Sequence, residues 1–155
     1  RGDATELDAP VLAHGRVRPS AGMSTAERYR AAVEGEDLQA VGELLAAQIV
    51  FHSPVTFHPF IGRETVTRLL AEVIQVFEDF RFTDELQMDG AHALIFRASV
   101  AGSDREIEGI DLLRFDAEGL IADFTVMLRP FSALVPFARA MGERAQAAGL
   151  QTTRA

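Results

Sequence analysis

Asp111 stands in Gly109-Ile110-Asp111-Leu112-Leu113-Arg114-Phe115, a run whose alternation reads as a β-strand. A two-residue period puts Ile107, Gly109, Asp111, Leu113 and Phe115 on one face, with Asp111 its only charge. If that face points inward, a carboxyl group is held among apolar groups. Such a group must be hydrogen-bonded, paired or protonated. A carboxyl in that state suits acid–base chemistry, and it equally suits a structural hydrogen bond.

Tyr29, the only tyrosine, falls on one face of an expected helix with Val33. Its ring would join the core and its hydroxyl would seek a partner. A Tyr29–Asp111 pair would polarise a ligand carbonyl, or it would close the fold as a buried hydrogen bond. His52 and His58 flank a loop rich in Phe, His and Pro. Histidine serves as acid or base near neutral pH. Strand alternation sets His52 against Phe51 and Ser53, so an inward Ser53 leaves His52 outward unless a bulge intervenes. Surface positions are the competing reading for both histidines. Their six-residue spacing is no metal signature and no HExxH motif occurs, so no metal is expected. Arg97 is expected to pair across strands with Glu106 or Glu108.

These side chains need elements to hold them. Ser24-Thr25-Ala26-Glu27 has the form of a capping box, opening a helix that Gly35 ends. Asp37 caps a second helix carrying Leu38, Val41, Leu44 and Leu45. Ile49 to Ser53 reads as a short strand stopped by Pro54, with a loop to Gly62. A third helix from about Arg63 shows the clearest helical period: Val66, Leu69, Leu70, Val73, Ile74 and Phe77. Strands are expected at about 80–88, 92–101, 104–116 and 120–129, with turns at Asp89-Gly90, Gly102-Ser103 and Glu118-Gly119. Ser132 is expected to cap a final helix with Pro136 in its first turn. Residues 1–22 lack a period and read as a flexible arm or extension, with Met23 a candidate start. The domain spans 23–150 and 151–155 form a tail.

The expected architecture is α+β: a cone-shaped, curved, mainly antiparallel sheet wrapped by three N-terminal helices, plus a C-terminal helix. Such a cone has an apolar interior that suits small molecules. Phe51, Phe96, Phe124, Val126 and Leu128 are expected to line it, with Phe57 and Phe60 over the opening. Apolar groups on the outer sheet face, Ile110 and Leu112 among them, suggest a homodimer.

Composition narrows the partners. At 155 residues the chain is long enough for one domain with a real core. A net charge of −8 argues against nucleic acid and anionic membranes. Absence of cysteine removes disulfides and thiolate chemistry and favours a reducing compartment, so a cytoplasmic location is expected. No apolar run approaches the roughly 20 residues that span a bilayer.

Three segments carry a family resemblance. They are Glu27-Arg28-Tyr29 through Gly35-Glu36-Asp37-Leu38, then Phe51-His52-Ser53-Pro54-Val55, then Ile110-Asp111-Leu112-Leu113-Arg114-Phe115. Over about 24–131 the chain resembles the nuclear transport factor 2-like superfamily, its SnoaL-like branch, and more distantly ketosteroid isomerase. The resemblance implies that Tyr29 and Asp111 occupy oxyanion-hole positions, Asp111 as a protonated acid. That isomerase is a standard case of a carboxylic acid kept neutral by an apolar site. Ser53 falls where the resemblance expects an Asp base, so steroid isomerisation itself is not expected. Gly109 and Leu113 stand where an epoxide hydrolase of this fold would carry Arg and Asp. The resemblance thus implies binding of a small hydrophobic molecule, with cofactor-independent isomerase-, cyclase- or dehydratase-type proton transfer on a carbonyl compound. Asp111 and Tyr29 would be the anchors, and His52, Ser53 or His58 the auxiliaries. The alternative is a non-catalytic binding or dimerisation module.

Overall fold

The structure, a computed structural model, describes residues 22–152, so the expected arm and most of the tail lie outside the described residues. The capping box forms as expected. The Ser24 hydroxyl accepts from the Glu27 N–H at 3.2 Å, and the Ser24 N–H donates to Glu27 Oε2 at 2.6 Å. It starts α1 (Thr25–Glu34) and presents Tyr29 to the core. Asp37 caps α2 (Leu38–Leu44), its carboxylate accepting from the Ala40 N–H at 2.9 Å.

Leu45 belongs not to that helix but to β1 (Leu45–His52), where it pairs with Ile121. Both side chains are fully buried. The pairing partner lies far along the chain, which outweighs the local helical spacing. Within the expected loop a two-residue strand, β2 (Phe60–Ile61), pairs with Phe51 and Val50. The third helix, α3 (Arg63–Ile74), stops short of Phe77, which opens β3 (Phe77–Met88) and pairs with Val100. Then come β4 (Ala91–Val100), β5 (Glu106–Phe115) and β6 (Ile121–Arg129). The last helix, α4 (Phe131–Ala147), has Pro130 at its N-cap, so Ser132 lies inside the first turn and caps nothing. Pro136 is its sixth residue, beyond that turn.

The six strands form one mixed sheet in the order β2-β1-β6-β5-β4-β3, with β1 parallel to β6 and the other neighbours antiparallel. The sheet is curved and unclosed, and the helices cover its concave side. Two irregularities in the β3 ladder, Glu78/Arg81 and Phe82/Asp84, help it bend. On the outer face Arg97 meets Glu108 at 2.9 Å and Arg129 meets it at 3.0 Å, the expected cross-strand pairing with Glu108 as the partner. No helix of the described residues is long and apolar enough to cross a membrane.

A buried ring nitrogen, that of His92, lacks a hydrogen-bond partner among the described residues. His92, 6% exposed, has its Nε2 buried without a hydrogen bond, 3.7 Å from Glu85 Oε2. An orphaned buried nitrogen costs roughly 1–3 kcal/mol. His92→Leu is therefore expected to raise stability at pH 8 by about 1 kcal/mol, read by urea unfolding. A loss of stability would show that His92 is satisfied.

Candidate functional site

Tyr29 and Asp111 come from elements 82 residues apart, and the Tyr29 hydroxyl donates to Asp111 Oδ2 at 3.0 Å. The capping box and Gly35 set the length of α1, and β5 alternation aims Asp111 inward between Leu94 on β4 and Val126 on β6. Tyr29 is 2% exposed and Asp111 5%. The Tyr29 ring meets Phe124 edge-on, centroids 5.6 Å apart. The other carboxyl oxygen, Oδ1, takes no hydrogen bond from any described residue.

That space is a cavity of about 410 Å³ inside the cone, and both side chains are on its wall. Burial pushes the Asp111 carboxyl up to about 7, with the Tyr29 hydrogen bond pulling the other way. Tyr29 is raised well above the usual phenol range by burial, then by the charge of Asp111 beside it. Near neutrality Asp111 therefore exists both as acid and as carboxylate, while Tyr29 keeps its proton. A group in that condition can give a proton to an oxygen or take one from carbon.

Removing the Tyr29 hydroxyl removes the one group that favours the charged form. Tyr29→Phe is expected to move the Asp111 titration upward from about 7. It should slow any reaction needing the carboxylate by roughly ten- to hundred-fold, since a hydrogen bond to a charged group is worth roughly 1.5–3 kcal/mol. A pH–rate profile reads both effects. An unmoved midpoint would separate Tyr29 from the chemistry.

The other expected site residues divide. Ser53 lines the cavity, but its hydroxyl accepts from the Val55 N–H at 3.2 Å and has no basic partner. His52 does not line it. Strand alternation turns it outward, where Nε2 lies 2.9 Å from Asp123 Oδ2. His58 sits exposed on the loop, also away from the cavity. Phe51, Phe96, Phe124 and Val126 line the cavity, and Phe60, expected over the opening, is instead buried in its wall. Phe57 does not line it; its side chain is 95% exposed at the tip of the loop. Leu128 does not either; it packs into the core over Gly109.

The sequence reading missed the far wall. Phe77 and Phe80 line it from β3, and α4 closes it with Phe137, Met141, Gly142 and Ala145. The spacing of Phe137 and Met141 sets them on one face of a helix, but no local pattern tells that this face lines a hollow. Arg144 fastens α4 to Glu72 of α3 at 3.0 Å. Among the described residues no three His, Asp or Glu side chains gather as a metal would require.

The SnoaL-like domain family model matches residues 26–124. No curated protein matches the chain. Among solved structures, a steroid delta-isomerase from Pseudomonas aeruginosa is 35% identical, covering 82% of this chain and 93% of its own, with a TM-score of 0.75. An uncharacterised protein with a cystatin-like fold from Silicibacter pomeroyi is 30% identical, covering 81% and 87%, with a TM-score of 0.76. A proposed SnoaL-like polyketide cyclase from Shewanella denitrificans, at 15% identity and TM-score 0.59 over 75% and 95%, shares the fold.

Proposed function

The chain belongs to the SnoaL-like domain family, and from that premise we propose that its cavity binds a small hydrophobic carbonyl compound and moves a proton on it. The observation that carries this is the Asp111 carboxyl: buried, on the wall of the cavity, bonded through Oδ2 to Tyr29 alone among the described residues, and pushed up to about 7 by burial. The similarity to a steroid delta-isomerase and a proposed cyclase points to the same reaction class.

In this reading the ligand's hydrocarbon body lies against Phe51, Phe96 and Phe124, and its carbonyl region faces Asp111. As the carboxylate, Asp111 takes the α-proton from the carbon beside the carbonyl; it thereby becomes the acid, and in that state donates a hydrogen bond to the enolate oxygen just formed, until the proton or a solvent-exchanged one returns to carbon. Tyr29 holds the carboxyl in place through Oδ2. Ser53, which would stand where a separate base is expected, offers no basic group. Asp111 must therefore serve in both states, and the reaction is limited to one proton at a time.

The test is exchange of the α-protons of 2-tetralone in heavy water, followed by proton NMR. Exchange above the buffer rate that vanishes in Asp111→Asn supports the reading. Binding of 2-tetralone without exchange supports a non-catalytic binding module, which a serine at the position of the expected base favours. On the outer sheet face Ile110 and Met127 stand exposed as register partners. We propose that this face pairs with a second copy of the chain, which sedimentation would reveal as a dimer.

A further inference from the structure

The helix α4 gives the cavity wall two large residues and two small ones. Phe137 and Met141 are large and buried. Ala145 is half-buried and Gly142 is exposed. The α4 wall therefore tapers, bulky at its deep end and bare at its outer end. Gly142 both lines the cavity and meets solvent, so it stands at the opening.

The fold itself does not call for glycine there. Gly142 lies inside a regular helix, in a conformation open to any L-residue. Apart from the adjoining residues and the helix backbone, a Cβ built on it would meet no atom within 4 Å. Gly109 differs, because there a Cβ would run into the Phe96 ring. Glycine inside a helix is less favourable than alanine, since it loses more freedom on folding. Gly142 thus costs stability and returns nothing to the packing. What it does supply is free space beside the cavity. Asp111, buried on the lining and bonded to Tyr29 alone among the described residues, holds the carbonyl end of a ligand inside. The other end then points to the opening. We propose that Gly142 is a specificity-determining residue: it admits carbonyl compounds that carry an apolar extension remote from the carbonyl, and that extension lies against the bare α4 backbone beside Met141 and Ala145. This rests on the reading that the cavity binds a small hydrophobic carbonyl compound.

Two ketones with one head test it by ligand NMR titration: 2-tetralone, and 6-phenyl-2-tetralone, which adds a ring opposite the carbonyl. The parent is expected to bind the longer ketone about ten-fold more tightly, from the extra apolar area covered. Gly142→Ile sets a branched side chain, nearly fixed in rotamer on a helix, in the path of the added ring. It should weaken the longer ketone about ten-fold and change 2-tetralone by less than about two-fold. Gln146→Ile, at an exposed α4 position that does not line the cavity, should change neither. Gly142→Ala should melt about 2 °C above the parent. A melt below the parent would give the glycine a structural role and overturn the proposal. So would a longer ketone that binds the parent no more tightly than 2-tetralone, or a Gly142→Ile variant that weakens both ketones alike or neither. A selective loss reproduced by Gln146→Ile would overturn it as well. If neither ketone binds the parent, the underlying reading falls; if both bind and Gly142→Ile does not separate them, only the role of Gly142 falls.

Discussion

Asp111→Asn is expected to abolish proton exchange while making the protein more stable above pH 7. The two effects share one cause. The folded protein holds this carboxyl near 7, whereas the unfolded chain releases its proton near the ordinary value of 3.8. The folded state therefore binds the proton more tightly, and stability falls as pH rises from about 4 to about 7. Above pH 7 the burial of charge costs about 4 kcal/mol, from 1.36 kcal/mol per tenfold change in proton affinity. Asparagine keeps the shape and can accept the Tyr29 hydroxyl, but it cannot ionise. Part of the cost remains, because its amide still faces an apolar hollow. A gain of roughly 2 kcal/mol at pH 8, and none at pH 4, is expected from urea unfolding. Exchange of 2-tetralone should drop by roughly 10²–10³-fold, within the range of general acid–base catalysis. A variant that exchanges normally would remove Asp111 from the chemistry. One whose stability follows the parent at both pH values would show that the carboxyl bears no burial cost.

Gly109→Ala should be among the most damaging single changes to the fold. Gly109 lies on the inward face of β5, two residues before Asp111. A Cβ there would overlap the Phe96 ring, with Cε1 at 2.6 Å, and would lie 2.7 Å from Leu128 Cδ2. Phe96 cannot swing aside freely, because Phe80 sits 4.9 Å and Phe77 5.7 Å from it, centroid to centroid. Overpacking of this kind costs about 3 kcal/mol, or roughly 10 °C in Tm for a chain of this size. Phe96 also lines the cavity, so ligand affinity should fall with stability. A thermal melt checks the first effect and calorimetry with 4-phenylbenzyl alcohol the second. An unchanged melt would mean that the ring has room to move.

Much of this site is legible from local chemistry. The alternation of β5 isolates Asp111 as the charge on an apolar face, and the capping box sets the turn of α1 that aims Tyr29. The same two-residue period sends His52 outward when Phe51 points in. Where the reading fails, the deciding contacts are distant in sequence. Phe77 continues the helical spacing of Val66 to Ile74, yet pairing with Val100 makes it strand. Leu45 fits its helix equally well until Ile121 claims it. Phe57 resembles a pocket residue by type alone, and nothing in its neighbours' sequence tells that the loop leaves it in solvent. The parallel pairing of β1 with β6 and the placement of α4 across the cone have no local signature. The hollow they enclose follows from tertiary assembly.

A carboxyl-carbon NMR titration of Asp111, assigned by the signal lost in Asp111→Asn, probes the buried acid most directly. A midpoint near 7, moving when 2-tetralone is added, is the expected result. A midpoint near 4 that ignores the ketone would contradict it, because the carboxyl would then be an ordinary solvated or fully paired group with no proton to exchange at neutral pH.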